Sequence, residues 1–396
     1  MRRVISRGIF TPEQTLLLAC CKTQPDPSQA AEIARWSAAP LDWDLLTRLA
    51  TSHGVMPLLY LNLNRCPQAI PARVLEQLRA AYYFNLQRNR AACRQLLSLV
   101  DGLEQLGIES MTFKGPSLAA WAYGDVGHRQ FRDMDLLVPR ESFLAARDYL
   151  VGQGFQPLYE ASGEHERDHL LSHYASEFIS LDRRTRIDLH WGFARRYSFL
   201  GPRSGELWPG RRFVQLGAGE APTPSAEDTL LLLCLHGSKH GWTELKQVVD
   251  VAEAVRSIPD LDWDLILSRA SRWGVRRMVL LGLLLAVELL DAPLLQPVRE
   301  SLAGEQRLSQ LSRGIQERVF DSGEDQRQGG GDARRLAMLD NRRDRWRYRW
   351  HLWRYWLQPT EKDWSLLKLP RPLALVYYVL RPARVFGQRA LRFRTR

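Results

Sequence analysis

Asp133-Met134-Asp135-Leu136-Leu137-Val138, closed by Pro139, is the stretch on which the fold turns. Its unbroken apolar end and the proline that stops it predict a short strand. Side chains alternate across a strand, so Asp133 and Asp135 project from one face. Upstream, Ile108–Phe113 is short, apolar-rich and bounded by glycines, and reads as another strand. Lys114-Gly115-Pro116-Ser117 then reads as a turn and Ser117–Tyr123 as a short helix. Downstream, Glu141–Leu150 is helical and ends at Gly152 and Gly154. Glu177–Leu181 and Arg186–Phe193 are expected to form a hairpin across the polar turn Asp182–Thr185.

Helical character surrounds this mixed block. Thr11-Pro12-Glu13 has the form of an N-cap, a first-turn proline and an acidic first turn, and Val74–Leu103 keeps apolar residues three and four apart. After a Gly/Pro-rich stretch, Gly201–Pro224, come three more helical segments: Thr229–His240, Leu245–Val255 and Val275–Leu290. Gln326–Gly331 reads as a loop. The expected class is α+β, a small mixed-sheet core between helical regions. Its expected divisions are residues 1–105 (helical), 106–220 (core), 221–330 (helical) and 331–396 (a basic, Trp/Arg-rich segment).

Composition sets the outer bounds. With 396 residues, 45% apolar and 25% charged, the chain has enough apolar surface to exclude disorder as its dominant state. The greasiest stretch, Met278–Leu290, carries Glu288 and falls short of the roughly 20 apolar residues a bilayer requires. The N-terminus has basic residues without an apolar run behind them, so no secretory signal is expected. Five cysteines scattered without CxxC spacing fit reduced thiols in a cytoplasm and disfavour structural zinc. From Asp332 onward, 17 basic and 5 acidic residues give +12, so at +11 overall everything before sums to −1. The basicity belongs to the tail, and a nucleic-acid partner does not follow from it.

The carboxylates carry the chemistry. Asp188 opens a predicted strand and is positioned to join Asp133 and Asp135 from a neighbouring strand. Three converging carboxylates repel one another, so one takes up a proton unless a cation neutralises them. Oxygen ligands favour a hard divalent ion, most simply Mg²⁺, and Mg²⁺ brings nucleotide phosphates with it. The Lys114-Gly115 turn, with Ser117 opening a helix, offers N–H groups and a hydroxyl to a phosphate. Against this stands the bland reading of Asp133 and Asp135 as a solvated strand edge.

The order of these elements resembles a known family. Phe113-Lys114-Gly115-Pro116-Ser117-Leu118, Tyr123, Arg129 and Asp133-Met134-Asp135-Leu136-Leu137-Val138 are similar to the "LKG…R…DIDLLV" signature of an uncharacterised bacterial nucleotidyltransferase family. Ile187-Asp188-Leu189-His190-Trp191 resembles its "DLHW" segment, and the likeness continues through His236, His240-Gly241-Trp242 and Asp250 to Pro359-Thr360 and Tyr377–Pro382. The resemblance implies a polymerase-β-like core. Asp133, Asp135 and Asp188 would then hold metal, with a two-ion site within its scope, and Asp188 would help deprotonate the acceptor. Gly115 and Ser117 would hold phosphates, although Pro116 stands where the superfamily usually has Gly or Ser.

The implied reaction moves a nucleoside monophosphate, AMP from ATP in the leading reading, onto an unidentified small-molecule or peptide acceptor. Lys114, Arg129 and Arg132 would stabilise phosphate charge, and His240 would contact the nucleotide. The alternative is a catalytically idle nucleotide-binding scaffold that recruits a biosynthetic partner. His236 and His240, four apart, are read as cleft or packing residues rather than a metal pair. His190 is read either as a neighbour of Asp188 or as core, and Cys234 as a buried thiol. In the tail, Trp346, Trp350, Trp353 and Leu357 form a stripe among arginines. The first reading has them packing on the body. The others are an anionic membrane surface or partner protein, placing the chain at the inner face of a cytoplasmic membrane, and last an RNA contact.

Overall fold

A computed structural model of the chain describes residues 10–158, 173–193, 200–294, 296–303, 305–320 and 336–357, together with 376–378, 380–381 and 384. The expected loop at Gln326–Gly331 and the family-like Pro359-Thr360 lie outside them.

Among the described residues, a five-stranded sheet runs in the order β1-β2-β5-β4-β3. Its strands are β1 (Met111–Thr112), β2 (Asp133–Leu137), β3 (Phe155–Pro157), β4 (Ala175–Ser180) and β5 (Arg186–His190). Strands β4 and β5 pair antiparallel across the expected polar turn, while β2 and β5 pair in parallel. That parallel register sets Asp135 beside Asp188 and Asp133 beside Arg186. Period two then sorts the side chains. Met134, Leu136, Ile187 and Leu189 share one face and are buried with Phe178. Asp133, Asp135, Arg186, Asp188 and His190 share the other.

The apolar face is covered by two helices, α5 (Ala72–Gln105) and α7 (Phe143–Gly152). Cys93, Leu96, Leu99, Val100 and Leu103 of α5 and Phe143, Ala146 and Leu150 of α7 complete that core. Their spacing of three and four is the helical period seen in the sequence. The polar face looks toward α6 (Gly115–Tyr123) and a larger helical cluster. This cluster joins α1 (Pro12–Cys20), α2 (Pro27–Ser37), α3 (Trp43–Ser52) and α4 (Met56–Leu63) to α8 (Ala226–His240), α9 (Leu245–Ser257), α10 (Trp263–Arg272) and α11 (Arg276–Leu290) in one continuous apolar core. The helical segments at the two ends of the sequence are thus packed together behind the site. Trp242 is fully buried, and a Cβ on Gly237 would meet its ring at 2.4 Å, so α8 approaches that indole only because Gly237 has no side chain.

Three further helices follow among the described residues: α12 (Gln296–Ala303), α13 (Gln306–Gln316) and α14 (Arg342–Leu357). On α14, Trp346, Trp350 and Trp353 stack on one another, with centroids 6.0 and 5.1 Å apart, and stay 65, 48 and 56% exposed. This corrects the expectation that they pack on the body. Among the described side chains of that helix, Asp344 and Tyr348 are buried. The side chain of Leu357 lies outside the described residues.

The Gly/Pro-rich stretch also departs from expectation. It holds a two-stranded hairpin, β6 (Arg212–Leu216) and β7 (Gly219–Thr223), turning at Gly217. Its alternation is short and partly charged, and Pro222 sits within β7, so the sequence pattern hides it. The hairpin packs on α6, with the Arg212 guanidinium 4.2 Å over the Trp121 ring.

Candidate active site

The site is assembled at the polar face of β2 and β5. Ligand atoms of Asp135, Asp188 and His190 all lie within 4.8 Å of one another. Asp135 is 2% exposed. One of its oxygens, Oδ1, receives Lys114 Nζ at 2.9 Å and His190 Nε2 at 3.2 Å. Burial alone would raise this carboxyl, but the Lys114 charge and the His190 hydrogen bond hold it well below the usual carboxylate range. For Asp188 the Lys114 charge is the weakest of the influences. Burial, then the charges of Asp135, Asp133 and Glu177, push Asp188 up to about 7. Glu177 belongs to the same group because β4 pairs it with Asp188.

Lys114 caps the start of α6. Burial works against its charge, yet Asp135, Asp133 and Asp188 together raise it above its ordinary value. Its Nζ also lies 3.5 Å from Nδ1 of His236 on α8. Burial, followed by the Lys114 charge, pulls His236 well below its ordinary value, so the imidazole is neutral at neutral pH. His236 and His240 rings are 4.5 Å apart, and Lys239 bonds the Tyr174 hydroxyl while lying over that ring. The end of α8 therefore forms the wall opposite the sheet, with His240 in it.

His190 is boxed by Phe113, 5.0 Å away and edge-on, and by Tyr174 and Phe193. Burial lowers its tendency to protonate, against the pull of Asp135. Its Nδ1 is buried without a hydrogen-bond partner among the described residues.

Gly115 begins α6 with φ +51°, and a Cβ there would sit 3.0 Å from the Asp133 carbonyl oxygen. Glycine thus lets the turn back directly onto the strand that carries the acids. The loop before that strand is also pinned. Asn85 of α5 donates to the Gly127 carbonyl at 3.0 Å and to that of Arg129 at 3.3 Å, Asn89 donates to those of Val126 and Arg129 at 2.6 and 2.8 Å, and Arg88 donates to that of Phe131.

The other expected site residues fall differently. Asp133 is half-buried at the first position of β2 and stands outside the close cluster, though its charge reaches Lys114 and Asp188. Ser117 is fully buried and bonds the Thr112 hydroxyl, so its side chain turns inward rather than toward a phosphate. Arg129 is engaged with Asp250 of α9, donating from Nε at 2.7 Å and Nη2 at 2.8 Å, and Tyr123 donates to the same carboxylate at 2.5 Å. This buried network fastens α9 to the loop before β2, which accounts for three residues of the sequence signature without a nucleotide. Arg132 is exposed.

Sequence reasoning placed Asp135 and Asp188 together but left His190 undecided and missed its tie to Asp135. Spacing two on a strand puts His190 on the face of Asp188, as expected, but its bond to Asp135 depends on the β2–β5 register. Lys114 as a partner of Asp135 has no such signal, because it depends on how β1 pairs with β2.

Two carboxylates, an imidazole with an unsatisfied nitrogen, and a repulsion that drives Asp188 to about 7 make a donor set suited to a divalent cation. A mixed sheet with an acid pair on adjacent strands and a glycine turn beside them is consistent with a nucleotidyltransferase core. The profile of the family described as uncharacterised nucleotidyltransferase matches residues 39–291, and the chain belongs to that family. Comparison with curated proteins gives no match. Among the described residues no helix is long and apolar enough to cross a membrane.

Proposed function

We propose that the protein transfers a nucleoside monophosphate, most simply AMP from ATP, to an acceptor hydroxyl or phosphate, with Mg²⁺ at Asp135 and Asp188. The observation that carries this reading is the side-by-side placement of the two carboxylates in the β2–β5 register, with Asp188 pushed to about 7. That value belongs to the metal-free cluster and marks a group in need of a cation; Asp188 is assigned to orient the acceptor and receive its proton. The acceptor oxygen attacks the α-phosphorus, its proton passes to Asp188, and the bond to the pyrophosphate oxygen breaks. Bound Mg²⁺ would neutralise the acids and polarise the phosphate.

Lys114 would meet the developing phosphate charge, and His190 keeps Asp135 ionised and oriented. Asp133 is assigned to the outer edge of the cation site, and the N–H groups of the Gly115 turn to the phosphates. His240 borders the nucleotide from the α8 side. Acid chemistry of this kind has no use in a pure scaffold, since a buried repulsive cluster only costs stability.

Incubation with each α-labelled NTP, Mg²⁺ and cell extract tests this. Label should move to an acceptor with wild type and not with Asp188→Asn. Failure with all four nucleotides favours the idle nucleotide-binding scaffold. The exposed tryptophan ladder of α14, flanked by Arg343 and Arg349, supports a second contact, with an anionic membrane surface. Co-sedimentation with anionic but not neutral vesicles is the expected result.

A further inference from the structure

A cavity of about 1010 Å³ opens where α5 runs past the first residues of β2 and β5 and the turn between β4 and β5. Its lining is unusual in charge. Arg88, Arg132, Arg184 and Arg186 all face it, against Asp133 and Asp182. Arg184 is 3.8 Å from Asp182, whereas Arg88, Arg132 and Arg186 have no carboxylate partner among the described residues. Burial and the nearby Arg132 charge both pull Arg88 below its ordinary value, so the arginines are close enough to repel. Uncompensated arginines around a concavity are arranged for an anion that arrives from outside.

Apolar surface accompanies the charge. Phe131 lines the cavity from the loop before β2, and Phe84 and Leu181 line it while remaining 73 and 71% exposed. The volume is at the upper end of small-molecule sites, about 300–1,000 Å³. The cavity touches the acid face only at its edge, where Asp133 and Arg186 face each other in the β2–β5 register and both border it, while Asp135, Asp188 and His190 are not in its lining.

We propose that this cavity binds a small molecule carrying a phosphate or carboxylate on an apolar body, held by Arg88, Arg132 and Arg186 against Phe84 and Phe131, and that this molecule is the acceptor of the transfer. The acceptor role rests on the nucleotidyltransferase reading; the binding site does not. It places the acceptor at the Asp133 end of the acid face, leaving the Gly115 and α8 side to the nucleotide.

The probe is 1-naphthyl phosphate, followed through the polarisation of its own fluorescence on the intact protein, with neutral 1-naphthol and inorganic phosphate as comparisons. Naphthyl phosphate should bind more tightly than either. Arg132→Glu/Arg186→Glu changes two exposed side chains and should weaken it at least tenfold, and Phe84→Ala should weaken it severalfold. Asp135→Asn and Asp188→Asn should leave it bound. Affinity unchanged in Arg132→Glu/Arg186→Glu, or no tighter than naphthol, overturns the proposal. Naphthyl phosphate binding as expected in a protein that transfers no label removes the nucleotidyltransferase reading and leaves the anion site standing. Label transfer together with arginine-independent binding does the reverse.

Discussion

Replacing Asp188 by Asn should make the metal-free protein more stable, and increasingly so as the pH rises. In the fold, burial and its acidic neighbours push this carboxyl to about 7, against an ordinary value near ~3.9. A raised carboxyl holds its proton in the fold when the unfolded chain has released it. Its contribution is therefore complete below about pH 4 and is lost as the pH climbs through about 7. A separation of this size corresponds to roughly 4 kcal/mol in full, of which about 2–3 kcal/mol develops between pH 5 and pH 8. Asn keeps the shape and removes the charge. Urea melts of wild type and Asp188→Asn at pH 5 and 8, in chelator, should show the gap widening by that amount in favour of the variant. Mg²⁺ should close it by stabilising wild type alone at pH 8. A gap that does not change with pH, or equal stabilisation of both proteins by Mg²⁺, would refute the reasoning.

Lys114→Met leaves Asp135 buried beside a charge-free partner and should cost about 3–5 kcal/mol in urea unfolding, with much of the loss recovered in Lys114→Met/Asp135→Leu. A single-variant loss below about 1 kcal/mol would deny the pair its role. Gly115→Ala must adopt φ +51° with its Cβ 3.0 Å from the Asp133 carbonyl, so a loss of about 1–2 kcal/mol is expected, with weaker divalent binding because the strand start moves. Arg129→Met and Asp250→Asn should each cost about 3–5 kcal/mol and be strongly non-additive in a double-mutant cycle, whereas Tyr123→Phe should cost about 1 kcal/mol. Additive losses would mean that the network is not a unit.

The fold was legible where one local pattern decides it. Strand β2 follows from its apolar end and the closing Pro139, helix α5 from the three-four spacing, and the β4–β5 hairpin from its polar turn. The parallel pairing of β2 with β5 is a long-range choice, yet both strands carry one polar face, and joining those faces leaves one apolar side for α5. This is why Asp135 and Asp188 could be matched before any coordinates. The β6–β7 hairpin was hidden by Pro222 and by strands of five residues that bury only alternate positions on α6. The inward turn of Ser117 and the capture of Arg129 by Asp250 were equally out of reach, since Thr112 and Asp250 are brought there by tertiary packing. Sequence spacing names the residue types near a phosphate turn but not which way each side chain points.

The arginine-lined cavity was invisible for a similar reason. Arg88 belongs to α5, Arg132 to a loop and Arg186 to β5, and only the fold brings the basic run Arg183-Arg184-Thr185-Arg186 beside Arg88 and Arg132.

Calorimetric titration of Mg²⁺·ATP, with metal-free ATP alongside, into wild type and Asp135→Asn/Asp188→Asn tests the cation-centred site most directly. Tight, Mg²⁺-dependent binding by wild type that disappears in the double variant is the predicted result. Equal affinities in the two proteins, or ATP binding indifferent to Mg²⁺, would contradict it.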